Sequence, residues 1–350
     1  MADYTTIDNP RLFFNTVLYT GNGTAIGSGG NAITGVGFQP DFLWIKNRSS
    51  ALHHGVFDVV RGTPKRVLTS STAVEDSNAE TVNSFDADGF TVGSNSNVNG
   101  SGNNLVAWNW LGANGTVSNS DGSISSTVSA NQTAGFSVVT YTSNSTSSNE
   151  TVGHGLGVKP DMVITKNRDT AYNWDIYHSS LGYNANLTFT TDATRSGAFG
   201  TSEPTSTVFR TSPSFTTNST DKYVAYCFAG KQGYSKFGSY TGNGNADGPF
   251  IYTGFKPAWF LLKNSSASGY NWYIMDNKRD TDNPLGDLLL ADSNAGTNTV
   301  SSERFDLLSN GFKVRRNDNG SNTSGSTYIY MAFAENPFVT AGTKAAGTAR

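Results

Sequence analysis

One phrase occurs three times in this 350-residue chain. It reads Gly37-Phe38-Gln39-Pro40-Asp41-Phe42-Leu43-Trp44-Ile45-Lys46-Asn47-Arg48, then Gly157-Val158-Lys159-Pro160-Asp161-Met162-Val163-Ile164-Thr165-Lys166-Asn167-Arg168, then Gly254-Phe255-Lys256-Pro257-Ala258-Trp259-Phe260-Leu261-Leu262-Lys263-Asn264-Ser265. Repetition at a period of about a hundred residues predicts one structural unit used three times. Other landmarks recur in step. Tyr19-Thr20-Gly21-Asn22-Gly23, Tyr141-Thr142-Ser143-Asn144-Ser145 and Tyr240-Thr241-Gly242-Asn243-Gly244 each stand roughly twenty residues ahead of a phrase proline. Aromatic-rich segments, Leu105–Trp110, Tyr223–Phe228 and Tyr328–Phe333, close the units. A run at Gly89–Val92 returns as Gly311-Phe312-Lys313-Val314 with no clear copy in the middle unit, so the repeat is strong at its ends and weaker inside. The predicted organisation is an N-terminal arm over 1–11, units over 12–115, 135–233 and 234–338, a polar linker over 116–134, and a C-terminal tail over 339–350.

The units read as all-β, each a jelly-roll-like β-sandwich. Phe42-Leu43-Trp44-Ile45, Phe136–Tyr141, Trp259–Leu262 and Tyr328–Met331 are short runs of aromatic and β-branched residues bounded by Gly, Asn, Pro or Ser, the pattern of strands. The best helix candidate, Leu285–Asp292, would make barely two turns. Several apolar residues in a row after each phrase proline imply a strand covered on both faces, and the proline suits a strand start, where no ladder N–H is needed. Three separate sandwiches, or three packed around a pseudo-threefold axis, both fit. The near absence of a linker at Gly233 favours a compact three-lobed body.

Charged residues are only 15% of the chain and glycines number 38, so the surface must draw its polarity from Ser, Thr, Asn and Gly, which favour turns over helix interiors. A net charge of −3 gives no electrostatic reason to expect nucleic acid or an anionic membrane as partner. Neither a membrane span nor a secretory signal is visible. The single cysteine, Cys227, has no disulfide partner and reads as a small buried hydrophobe.

No enzyme and no cofactor are expected. Glu75-Asp76 with Glu80 is the nearest approach to a carboxylate cluster, but it reads as a polar loop, and neighbours on a strand face opposite ways. Asp86-Ala87-Asp88-Gly89 has alternate carboxylates but lacks the other ligands of a calcium loop, so it reads as a turn. His53, His54, His154 and His178 are not at metal-ligand spacing, and no Gly-x-Ser-x-Gly elbow accompanies His178-Ser179. Gly21-Asn22-Gly23 lacks dinucleotide spacing and reads as a turn. Binding has one candidate. Tyr172 and Trp174, with Tyr270 and Trp272, form a Tyr-Asn-Trp triplet in units two and three, where unit one has His53-His54-Gly55. Alternate residues on a strand share a face, so these rings are either a sugar-stacking platform or the aromatic edge of a core, and their exposure decides between them.

At Tyr19–Gly23, the first phrase, Val224–Ala229 and Tyr330–Phe338 the chain resembles a domain common in virion structural proteins of marine and aquatic tailed phages, over about Leu12 to Phe338. The resemblance implies a particle protein made in the host cytoplasm without a signal peptide and present in many copies beside other virion proteins. It would be an exposed tail-associated fibre or spike component contacting the host surface, with a host-surface glycan as the candidate partner, or a head decoration protein. It supplies no catalytic mechanism and no set of functional residues. The arm and tail, outside the repeat, read as ends that are disordered alone and ordered in assembly, and one of them is expected to dock the subunit. A free carbohydrate-binding protein or glycanase is the alternative from another class.

Overall fold

A computed structural model describes residues 4–144, 150–196, 199–200, 202–210, 220–299 and 304–340. Their regular structure is almost entirely β-strand: the one α-helix among them is the single turn Ser96–Asn99. Leu285–Asp292 contains a strand, Asp287–Leu290, instead of a helix. Among the described residues no helix is long and apolar enough to cross a membrane.

Three six-stranded antiparallel sheets share an inner order of strands. In each, an opening strand (Phe14–Thr20, Phe136–Thr142, Ser235–Thr241) pairs with the closing aromatic strand (Asn104–Trp110, Lys222–Phe228, Thr327–Pro337). The closing strand pairs in turn with the phrase strand (Phe42–Asn47, Met162–Asn167, Phe255–Asn264), and that with the next strand in sequence (Gly55–Asp58, Asp175–His178, Tyr273–Asp276). Pro40 and Pro160 precede their strands, whereas Pro257 lies inside one, at a register shift where a missing ladder N–H is tolerated. A smaller sheet covers each large one, with three strands in units one and three and two in unit two.

The period of two along these strands assigns their apolar residues to two cores. From the first unit, Leu43, Ile45, Leu105 and Ala107 point to a local core, while Phe42, Trp44, Val106, Trp108 and Trp110 point the other way. The latter meet Met162, Ile164, Tyr226 and Phe228 of unit two and Trp259, Leu261, Met331 and Phe333 of unit three in one central cluster. Rings from different units are in contact there, as in Trp110–Trp259 at 5.6 Å and Phe42–Tyr226 at 4.4 Å between centroids. Both faces of the large sheets are thus buried, which is why the phrase strands carry unbroken apolar runs. Cys227 lies in the local core of unit two.

Hydrogen bonds close the three units into a ring by one repeated rule. Each phrase lysine is fully buried and donates to a carbonyl of its own unit and to one of another. Lys46 reaches Leu52 and Asn294, Lys166 reaches Tyr172 and Thr72, and Lys263 reaches Tyr270 and Thr190. Unit one therefore donates to three, two to one, and three to two. Backbone bonds repeat the pattern, from Thr297 N–H to the Arg48 carbonyl, Glu75 N–H to Arg168, and Thr194 N–H to Ser265. The next phrase residue, Asn47, Asn167 or Asn264, accepts two backbone N–H groups of the following turn, which explains why Lys-Asn recurs as a pair.

Two predicted boundaries are corrected. The arm is not free of the body: Ile7 is buried in the central cluster, Tyr4 donates to the Gly254 carbonyl and Thr5 to that of Gln232. Nor is 116–134 a linker. Val117–Asn119 and Ser126–Asn131 are strands that extend the unit-two sheet beyond its opening strand. Val128 packs into the core of that unit, and the buried Ser129 hydroxyl donates to Asp41 at 2.7 Å. Most of the tail, residues 341–350, lies outside the described residues.

Candidate functional site

The Tyr-Asn-Trp triplets are seam elements. Trp174 and Trp272 are each 1% exposed and lie in the central cluster, so neither indole can stack on a sugar. Trp174 donates its N–H to the Leu68 carbonyl of unit one at 2.7 Å, and Trp272 donates to the Thr188 carbonyl of unit two at 2.8 Å. Tyr172 and Tyr270 are half-buried and supply the carbonyls that accept from the buried lysines. Trp174 and Trp272 are therefore core residues, not members of a stacking platform: burial satisfies the apolar ring and its N–H together. His54 takes the tryptophan's place in unit one.

The carboxylates considered for catalysis hold structure together. Glu75 receives both Arg168 of unit two, bidentate at 2.8 and 2.8 Å, and Arg61 at 3.1 Å. Burial works to raise its pKa, but the two guanidiniums outweigh that and hold it below the usual carboxylate range. Asp76 pairs with Arg66. Glu80 accepts from the Ile26 and Ser94 backbone N–H groups. Asp88 accepts from the N–H groups of Gly35 and Gly37, and Asp86 from the Thr91 hydroxyl, so the Asp86–Gly89 segment is a hairpin turn tied to its neighbours. Among the described residues no group of three or more His, Cys, Asp or Glu side chains could hold a metal ion.

Interior ionisable groups follow their burial. Each phrase lysine has its pKa lowered to about 8 by desolvation. His178 is lowered to about 4, also by burial, against the opposing pull of the Tyr330 carbonyl and Asp161. Asp58 takes Arg61 at 2.5 Å and the Tyr226 hydroxyl of unit two at 2.8 Å, and Asp276 takes Arg279 at 2.5 Å and the Trp108 indole of unit one at 3.0 Å. At the third seam Met331 stands where Tyr226 and Trp108 do, and a thioether has no proton to donate. His178 replaces the aspartate there, its Nε2 3.1 Å from the Tyr330 carbonyl of unit three.

With the seams accounted for, the outer surface is distinguished where unit two departs from the other two. Its hairpin, Val117–Asn119 with Ser126–Asn131, covers an opening strand whose counterparts in units one and three end their sheets. A cleft of about 570 Å³ lies on one side of the hairpin, with Val117, Val128 and Ala130 beside Gly155 and Gly157 and a polar rim that includes Asn119 and Gln132. A second, of about 630 Å³, is lined by Ser and Thr hydroxyls with Asn119 and Tyr141. Val117 is 64% exposed at the hairpin's free edge. Residues 9–337 match a family described as Domain of unknown function (DUF7483). The chain belongs to that family. No curated protein and no solved structure matches it. In this family member the alternation of Val117, Ile124, Val128 and Ala130 with polar residues was the signal that a strand pair, and with it this surface, lay in the Ser/Thr-rich stretch.

Proposed function

We propose that the chain is a non-enzymatic structural component of a tailed-phage virion, an exposed tail-associated part that contacts the host surface with the hairpin 117–131. The observation that carries this reading is the use made of the chemically strong groups. Tryptophans, phrase lysines and most arginine–carboxylate pairs are committed to the seams of a closed body, which leaves an outer surface rich in Ser, Thr, Asn and Gly with one asymmetric hairpin flanked by two clefts. A rigid, weakly charged body suits a multi-copy particle subunit docked against other virion proteins, and the sequence resemblance points the same way.

Imaging purified particles with an antibody or tag on this subunit tests the reading. Label on the tail supports it, and label over the head would make the chain a decoration protein. Particles without label would overturn the virion reading.

A further inference from the structure

The three seams are built alike but not of equal chemistry. The seam between units one and two contains no buried histidine: it has Trp174 on the Leu68 carbonyl, Tyr226 on Asp58, and Glu75 between Arg61 and Arg168. Each seam of unit three contains one. His54, against unit three, is fully buried and its Nδ1 accepts the Trp44 indole N–H at 2.9 Å. Its Nε2 makes no hydrogen bond of ordinary geometry, though the Leu290 carbonyl of unit three favours a proton there. His178, in the other seam, accepts the Ser180 N–H on Nδ1 at 3.2 Å and holds the Tyr330 carbonyl through Nε2.

We propose that unit three, residues 234–338, is held by an acid-sensitive latch, and that mild acid loosens it from units one and two while the seam between those two stays closed. In both rings a second proton must go to Nδ1, which already faces an N–H donor. Protonation therefore breaks a buried hydrogen bond, leaves the Trp44 indole or the Ser180 amide without its acceptor, and places a cation in an apolar seam. Around His54 the charges add to the penalty: Lys46 and His53 lie on its own side, and Arg279, paired with Asp276, faces it from unit three. Around His178 the facing ionisable group is Asp161, with the Phe237 ring packed against the imidazole. Asp161 partly offsets the cost, so the His54 seam is the more sensitive. Burial lowers both histidines, so the unfolded or opened state binds protons that the closed one refuses. The closed seams therefore have their full stability above the ordinary histidine pKa of about 6.5 and lose it as pH falls below that value. The inference does not rest on the virion reading.

Equivalent seam amides provide the test. Hydrogen–deuterium exchange, corrected for intrinsic rate, is measured on the full chain at pH 7.5 and 5.0 for Thr297 N–H, Thr194 N–H and Glu75 N–H, one from each seam. Protection is expected to fall about tenfold or more at Thr297 and Thr194 and to stay constant at Glu75. Equal loss at all three, or none at the first two, would overturn the latch. His54→Gln and His178→Gln offer a neutral acceptor and donor in place of each ring, and each should abolish the acid response at its own seam only. If one variant fails to fold, the wild-type comparison and the other variant still decide. An acid response that survives in the variant that folds rejects the histidine at that seam.

Discussion

At the residue scale, the most informative side chains are Lys46, Lys166 and Lys263, which place an ammonium where an apolar strand would bury one only if carbonyls receive it. Their recurrence is plain in the sequence. Their role is not, because each has one of its acceptors in a different unit, and no local pattern reports that distance. The titration has a definite sign. With folded pKa values of about 8 against an ordinary 10.5, the unfolded chain keeps protons that the folded chain has lost, so stability rises with pH above about 8. The slope is at most about 1.4 kcal/mol per pH unit for each lysine. Buried tyrosines such as Tyr19 and Tyr141, raised by desolvation, reverse the trend above about pH 10. Lys166→Met should cost about 1–3 kcal/mol at pH 7.5, because the Thr72 and Tyr172 carbonyls lose their donor. It should also remove about a third of the alkaline rise. Urea denaturation of both proteins between pH 7.5 and 9.5 checks this, and an unchanged pH slope would contradict it.

At the scale of elements, what could be read from sequence was whatever a strand or turn decides for itself. The phrase strands announce burial on both faces by their apolar runs. The Tyr-Thr-Gly-Asn-Gly turns announce themselves by their glycines, and the structure supplies the reason: a Cβ on Gly21 would lie 2.2 Å from the Gly100 carbonyl oxygen, and one on Gly242 would lie 2.3 Å from that of Thr323. Asn22 and Asn99, like Asn243 and Asn322, fix those approaches by exchanging hydrogen bonds. Gly21→Ala should therefore destabilise by about 1–3 kcal/mol through overpacking against backbone. Gly27→Ala, with nothing within 4 Å of its Cβ, should stay within about 0.5 kcal/mol of wild type by thermal denaturation. The hairpin 117–131 reads as a linker in sequence because its Ser, Thr and Asn residues favour turns in isolation. Pairing with Phe136–Thr142 and burial of Val128 override that preference. The Tyr-Asn-Trp triplets were ambiguous for the opposite reason: alternation puts two rings on one face but cannot say whether another unit covers them.

For the whole molecule, the question is whether three sandwiches merely adjoin or depend on one another. Each large sheet gives one face to its own core and the other to the shared cluster, so an isolated unit would expose Trp, Phe, Tyr and Met side chains along an entire sheet face. Full burial contributes about 1.5–3 kcal/mol for a large apolar side chain, and a domain is stable by only about 5–15 kcal/mol in total. Loss of the shared face therefore exceeds what a single unit can withstand. The cyclic seam rule adds direction, since each unit presents its lysine to one neighbour and its carbonyls to the other. A cut at Gly233, where units two and three abut, makes the dependence measurable. Prepared separately, fragment 234–338 should lack the sharp near-ultraviolet circular dichroism of packed tryptophans, and fragment 1–233, which keeps its own seam between units one and two, should show it only in part. Mixed, they should associate one to one and recover it, because every seam contact of unit three can re-form without the covalent link. A fragment 234–338 that folds alone as a monomer would show three self-sufficient domains and leave the ring of seams as a detail of their packing.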